Sequence, residues 1–333
     1  MRFDLATFSN RYLDAAAGLL AERHRRDRAA RPLLPARFEE LPVARAAVEA
    51  IWHRPGARGV VALDSGRLAG YLIGDAATEP VRGRCAWVRL AGHALAEGID
   101  AELYRDLYAA LAAGWVTQGY FDHYVLLPAA DGAALDAWFA LSFGLEHAHG
   151  LRSLAAPNAT DATPIAPDVE IRRATADDRA TLAGVSQWLR RYQAGPPIWG
   201  TALPEDTPQI KAGYAEMAGD ETATIWLAFL DGQIAGFQAY LPAKMSDDNP
   251  LIPPGCVDLS VAATHPELRG RGVGLALTQV GLVDAAARGY TACVVDWRVT
   301  NLMSSRFWPR QGFTPTVYRL VRRVDPRIVW AQG

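Results

Sequence analysis

Between Asp258 and Ala276 the chain reads DLSVAATHPELRGRGVGLA, and its densest chemistry is the run Arg269-Gly270-Arg271-Gly272-Val273-Gly274. Glycine has no Cβ and reaches positive φ freely, so successive backbone N–H groups in such a run can converge on one anion. An apolar, strand-like stretch precedes the run and a helix-like pattern follows it. The run therefore opens a helix, whose unpaired N–H groups and dipole favour negative charge. Arg269 and Arg271 add fixed positive charge beside it, which suits a pyrophosphate. Spacing excludes two phosphate loops. A P-loop needs Gly-Lys followed by Ser or Thr, and the run holds no lysine. A dinucleotide fingerprint counted from Gly270 and Gly272 needs a third glycine where Leu275 stands. What remains is Arg-x-x-Gly-x-Gly between a strand and a helix, with an arginine-rich surface turn as the competing reading.

Other residue sets carry less. Cys85, Cys256 and Cys293 are far apart and set in apolar runs, so they read as reduced core thiols, neither disulfides nor a zinc site. His147 and His149 flank Ala148 on one face of a strand, but no Cys/His/Asp cluster accompanies them, and no metal site is expected. The formal charge of -2 over 333 residues gives no reason to expect nucleic acid or an anionic membrane as partner. Of the 34 basic residues only Lys211 and Lys244 are lysine, which reads as compositional bias. Arg2 and Asp4 are not followed by a long apolar core, and no run reaches membrane-spanning length, so a cytoplasmic protein is expected. Half the residues are apolar, enough for two soluble domains.

The elements that position the run belong to a pattern read twice. In the first half, a short strand at Arg2 to Leu5 is followed by a helix over Tyr12 to His24, a polar basic segment to Arg31, and a second helix over Val43 to Trp52. A hairpin follows at Val60 to Ile73 around Asp64-Ser65-Gly66, then a strand at Arg84 to Ala91. A helix over Ala101 to Trp115, a strand at Tyr120 to Leu127, a short helix at Ala133 to Leu141 and a strand near His147 to Leu154 complete it. Residues 155–168 (AAPNATDATPIAPD) have small residues, three prolines and no apolar period, and read as a linker.

The same order then begins again. A strand at Val169 to Arg173, a helix to about Tyr192 and a proline-interrupted loop from Gly195 to Pro208 lead to a second helix over Gln209 to Met217. A hairpin turns at Asp231-Gly232; the anion-loop unit, a strand at Thr291 to Trp297, a helix at Leu302 to Gln311 and a closing strand from Phe313 to Arg322 follow. LDSGRLAGYLIG in the first half matches LDGQIAGFQAY in the second, and Trp138 corresponds to Trp308, as a tandem duplication requires. Only one copy keeps the loop. The first half has Gly92-His93-Ala94-Leu95-Ala96-Glu97-Gly98-Ile99-Asp100 in its place, with two acids where an anion would sit.

The stretch Thr224 to Val321 resembles the GNAT acyltransferase superfamily, through its hairpin, the Arg269 to Gly274 loop, Asn301 and the Gly312-Phe313 pair. The resemblance implies an α/β fold (α+β layered): two tandem GNAT-like domains, 1–154 and 169–333, each a mixed, mostly antiparallel sheet flanked by helices. The arrangement is similar to tandem GNAT proteins in which the second copy is catalytic. It implies acetyl-CoA as cosubstrate, held at its pyrophosphate by Arg269, Gly270, Arg271, Gly272, Val273 and Gly274. The pantetheine arm would lie in an opening of the sheet against Ala262, Ala263 and Thr264, with Asn301 at the position that hydrogen-bonds the arm and Trp308 at the position near the sulfur.

The implied activity is N-acetyl transfer to a primary amine of a small molecule or peptide. The alternative is a non-catalytic CoA-binding sensor or scaffold. Asp258, eleven residues before Arg269, is the first candidate base, with Asp296 second and His265 read as structural. Many relatives carry a tyrosine acid where this chain has Trp308, whose indole cannot be a proton acid; of the nearby hydroxyls Ser304, Ser305 and Tyr318, Ser305 is taken as the candidate. The basic tail from Arg319 to Arg327 is read as a solvated face rather than a partner for the CoA 3′-phosphate.

Overall fold

The computed structural model describes residues 3–155, 168–201 and 203–331. The first half runs β1 (Asp4–Thr7), α1 (Leu13–Ala30), α2 (Leu41–Trp52), β2 (Ala57–Asp64), β3 (Arg67–Glu79), β4 (Gly83–Val88), β5 (His93–Leu95), α3 (Leu103–Thr117), β6 (Asp122–Pro128), α4 (Gly132–Ala140) and β7 (Gly144–Ser153). The second runs β8 (Val169–Arg173), α5 (Arg179–Val185), α6 (Trp188–Ala194), α7 (Thr207–Met217), β9 (Thr224–Leu230), β10 (Gln233–Pro242), β11 (Cys256–Thr264), α8 (Val273–Ala287), β12 (Ala292–Arg298), α9 (Leu302–Arg310) and β13 (Thr314–Arg323). Apart from Ala155 and Asp168, the expected linker lies outside the described residues. Among the described residues no helix is long and apolar enough to cross a membrane.

By their contacts these elements form two units. Unit 1 comprises Met1–Ala148, Met245–Pro253 and Pro315–Gly333; unit 2 comprises His149–Lys244 and Pro254–Thr314. The sheet of unit 1 has the order β1-β2-β3-β4-β6-β13, antiparallel except for the parallel pair β4/β6, with β5 also on β3. Unit 2 repeats the plan as β8-β9-β10-β11-β12, parallel only at β11/β12. Each is the mixed, mostly antiparallel sheet that the repeat predicts. Both hairpins turn on two successive residues of positive φ, Ser65-Gly66 and Asp231-Gly232, the tight turn whose twist matches its strands.

The expected helix to Tyr192 is two, α5 and α6, and two larger features depart from the sequence reading. The last strand does not close the sheet of its own half: β13 pairs antiparallel with β6, Val317 opposite Pro128 and Arg323 opposite Asp122. On the other side, Leu154 N–H donates to the Thr291 carbonyl at 2.9 Å, and Gly150 lies under the Trp297 ring in unit 2. Because the halves repeat each other, a closing strand with the right alternation fits either edge, and side-chain pattern alone cannot choose. The second is α1, which runs on through the polar basic segment to Ala30, where the sequence reading ended the helix at His24. Arg23, His24 and Asp27 are buried, their charges and donors met by backbone carbonyls and by one another.

Beneath α8 the packing is tight enough to require glycine. A Cβ on Gly281 would fall on the Tyr240 ring closer than any real Cβ contact, and Tyr240 is 2% exposed with no room to retreat. Gly281→Ala is therefore expected to lower the thermal midpoint despite alanine's better helix propensity of about 1 kcal/mol, because overpacking costs about 1–3 kcal/mol. Adding Tyr240→Leu should recover part of the loss in a melting curve; a Gly281→Ala midpoint at or above the parent's would refute the packing.

Candidate active site

In unit 2 the parallel pair β11/β12 holds for three residues only, Cys256 with Ala292, Val257 with Cys293 and Asp258 with Val294. Beyond Asp258 both strands continue but no longer pair, so the sheet opens between Leu259–Thr264 and Val295–Arg298. The His265 N–H donates to the Ala235 carbonyl on the β10 side at 2.8 Å. Backbone donors alternate along a strand, so the N–H groups of Thr264 and Ala262 point the other way, into the opening. The strand ends in the glycine loop. Gly270 and Gly272 both take positive φ, 80° and 81°, and Gly272 is the left-handed N-cap of α8. An added Cβ on Gly270 would meet nothing within 4 Å, so the space over the loop is open.

Opening and loop share one cavity of about 470 Å³. Ser304 lines it, and of the residues taken from sequence as catalytic or cofactor-binding, Ala262, Ala263, Thr264, Arg269, Gly270, Gly272, Val273, Gly274, Asn301 and Trp308 do too. Asn301 also caps α9, its side chain accepting from Ser304 N–H at 3.2 Å. Three do not line it. Arg271 pairs with Asp168 at 2.7 Å, Ser305 donates to the Val299 carbonyl at 2.7 Å, and Asp258 lies on β11 where the two strands part. Sequence reasoning missed the wall formed by Trp188, Leu189 and Tyr192 of α6, and on α9 it missed Leu302, Met303, Arg306 and Arg310. Their helical spacing, three or four residues apart, was the available signal.

Polar contacts hold the loop's helix in place. Tyr240 donates to Gln238 Oε1 at 2.7 Å, Gln238 Nε2 donates to Thr278 Oγ1 at 2.8 Å, and Thr278 donates to the Gly274 carbonyl at 2.8 Å. This buried chain ties β10 to the first turn of α8, so the N–H groups above it are fixed before a ligand arrives. Arg269 stacks its guanidinium 4.2 Å from the Tyr192 ring centroid. Burial pushes the Asp258 carboxyl above its usual range, opposed by the Ser260 hydroxyl at 2.8 Å and helped by the nearby Asp296 charge. His265 packs edge-on against Trp188, 5.1 Å between centroids, and its buried Nδ1 has no hydrogen-bond partner among the described residues.

The first copy is closed at the corresponding place. Gly70 faces the Ala94 carbonyl and Leu103 as Gly236 faces the Ala263 carbonyl and Val273, which sets Tyr104 where the second copy has Gly274 and His93 where it has Ala262. His93 is fully buried, its ring 3.1 Å from the Tyr104 hydroxyl and 2.9 Å from the Leu126 carbonyl of β6. Burial, with the Arg23 charge, pushes its pKa well down, so the ring is neutral. Arg23 reaches across from α1 to the carbonyls of His93 and Leu90. An imidazole and a phenol thus fill what is an opening in the second copy.

The fold these units build is that of tandem GNAT proteins. Over 96% of its length the chain is similar to a GCN5-related N-acetyltransferase from Sphaerobacter thermophilus, with 16% identity, 95% of that chain covered and a TM-score of 0.56. It is similar over 97% of its length to a tandem GNAT protein from the clavulanic acid biosynthesis pathway, with 14% identity, 98% coverage and a TM-score of 0.51. At such identities the likeness is one of fold. No curated protein sequence matches the chain. Residues 184–313 match the family model described as "Acetyltransferase (GNAT) family", so this segment is a GNAT-family domain, of a family whose chemistry is acyl transfer.

Burial raises the pKa of Asp258. A carboxyl whose folded pKa exceeds its unfolded value binds more protons when folded, so its contribution to stability is present at low pH and falls as pH rises past the ordinary carboxylate range of about 4. Asp258→Asn is therefore expected to be more stable than the parent at neutral pH, the difference shrinking toward pH 4 in melting curves. An Asn variant less stable at pH 7 would mean that the carboxylate is held by a favourable partner instead.

Proposed function

We propose that unit 2 binds acetyl-CoA and transfers its acetyl group to a primary amine of a small molecule or peptide. The observation that carries this reading is the parting of β11 from β12 beside a glycine loop at a helix N-terminus, both on one cavity. The loop N–H groups and Arg269 suit a pyrophosphate. The N–H groups of Ala262 and Thr264 suit the amide-bearing pantetheine arm and the thioester carbonyl, where preorganised donors matter most as the oxyanion develops. Proton removal from the amine falls to Asp258, whose raised pKa makes it the stronger base. Ser305 is a poor source of a proton for the departing thiolate, because its hydroxyl is already given to the Val299 carbonyl. The first copy, with His93 and Tyr104 filling its opening, does not bind the donor.

One observation favours the second reading, a CoA-binding protein without turnover. The residue at the usual position of the proton acid is Trp308, 5% exposed and packed edge-on to Phe307 and Phe313. Calorimetric titration with acetyl-CoA, followed by assay of free thiol with a panel of amines, separates the two. One site per chain and amine-dependent thiol release are expected; tight binding with no thiol from any amine would favour the sensor. Arg269→Ala with Gly272→Ala should weaken binding by about 2 kcal/mol or more, since the first removes a charge-assisted contact and the second strains a left-handed cap. Unchanged affinity would sink the loop assignment.

A further inference from the structure

Arg306 and Arg310 stand one turn apart on α9, both exposed and both on the cavity wall. Among the described residues neither has an ion-pair partner, whereas in the basic tail Arg319 pairs with Glu146 at 2.7 Å, Arg323 with Asp122 at 3.3 Å and Arg327 with Asp325, and Arg322 lies over the Tyr108 ring. Like charges four residues apart on a helix repel, so an unneutralised pair costs stability unless an anion joins it. The internal repeat supplies a second, independent observation. The offset that takes Asp131 to Asn301, both helix caps, also takes Trp138 to Trp308 and Phe143 to Phe313. By that offset Arg306 corresponds to Asp136 and Arg310 to Ala140, both exposed on α4. The copy whose opening is filled by His93 and Tyr104 thus lacks the arginine pair and carries an acid in its place. The charge goes with the cavity.

Resting on the donor reading above, we propose that Arg306 and Arg310 bind the 3′-phosphate of coenzyme A and so select it over the form that lacks this group. The loop N–H groups and Arg269 account for the pyrophosphate, and a phosphomonoester leaves about −1.5 to −2 further charge at neutral pH. Guanidinium forks match such an oxygen set in a way that backbone N–H groups at a distant helix end cannot. Two such side chains one turn apart sit about 5–6 Å from each other at their bases, close enough to share one phosphate.

The test is calorimetric titration of the full chain with coenzyme A and with 3′-dephospho-coenzyme A, in the parent and in Arg306→Ala/Arg310→Ala, with the Arg306→Gln/Arg310→Gln pair as a second variant should the first misfold. The parent is expected to bind coenzyme A about tenfold or more tightly, as charge-assisted bonds imply, with the preference shrinking as salt rises. In the variants the ratio should fall to about one. Equal affinity in the parent, or a preference that survives in a folded variant, overturns the assignment and turns the pair toward another anion, such as a carboxylate on the acceptor. If the parent binds neither compound, the donor reading fails and this assignment fails with it.

Discussion

Everything at the candidate site depends on one break in hydrogen bonding, the parting of β11 from β12 after Asp258 and Val294. Backbone N–H and C=O groups left unpaired inside a sheet must find partners or cost free energy. The chain solves this twice, in opposite ways. In the first copy β4 stops at Val88, a turn over Leu90–Gly92 carries the chain to β5, and the His93 ring reaches the Leu126 carbonyl at 2.9 Å. In the second copy β11 runs on unbroken with Ala262 and Ala263 facing the gap, and the donors of its free edge are left for a ligand. The gap stays open because its own side chains are too small to close it.

An open edge is useful only if what surrounds it cannot relax into it. The chain from Tyr240 through Gln238 and Thr278 to Gly274 crosses from strand to helix within the core, and every link lies between 2.7 and 2.8 Å. Gly236 lets Val273 of α8 pack directly on β10, while Gly281 admits the Tyr240 ring under the same helix. The N-terminus of α8 is thereby fixed relative to β11, and the convergence of its N–H groups is a property of the folded protein rather than something a ligand must organise.

Much of this was legible in the sequence because it rests on local chemistry. Asp231-Gly232 and Ser65-Gly66 demand hairpins, Gly270 and Gly272 demand positive φ, and the repeat of Trp138 at Trp308 announces two copies. What stayed hidden is decided by long-range contacts. The exchange of β13 onto β6 could not be read because the two copies offer equivalent edges. The burial of Arg23, His24 and Asp27 ran against their polarity, and only α1's contact with the carbonyls of Leu90 and His93 explains it. The α6 wall was hidden for a different reason: a single expected helix to Tyr192 is two helices, α5 and α6, and the break between them turns Trp188 and Tyr192 toward the cavity.

The repeat also bears on Trp308. Trp138 occupies the corresponding place in a copy whose opening is filled, and it packs edge-on against Phe143 at 4.8 Å as Trp308 does against Phe313 at 5.6 Å. A residue that serves the same packing in both copies, whether the opening is filled or not, is explained by packing, so its presence in the second copy is not by itself a sign of lost turnover. Nor does the chemistry require an acid there. A thiol titrates near 8.5 and an amine near 10, so a thiolate is the weaker base and the better leaving group once the tetrahedral centre collapses. The demand falls instead on the incoming amine, which must arrive unprotonated, and on the donors that hold the oxyanion. On the proposed reading both would fall to β11, to Asp258 and to the N–H groups of Ala262 and Thr264, where the two strands have already let go of each other.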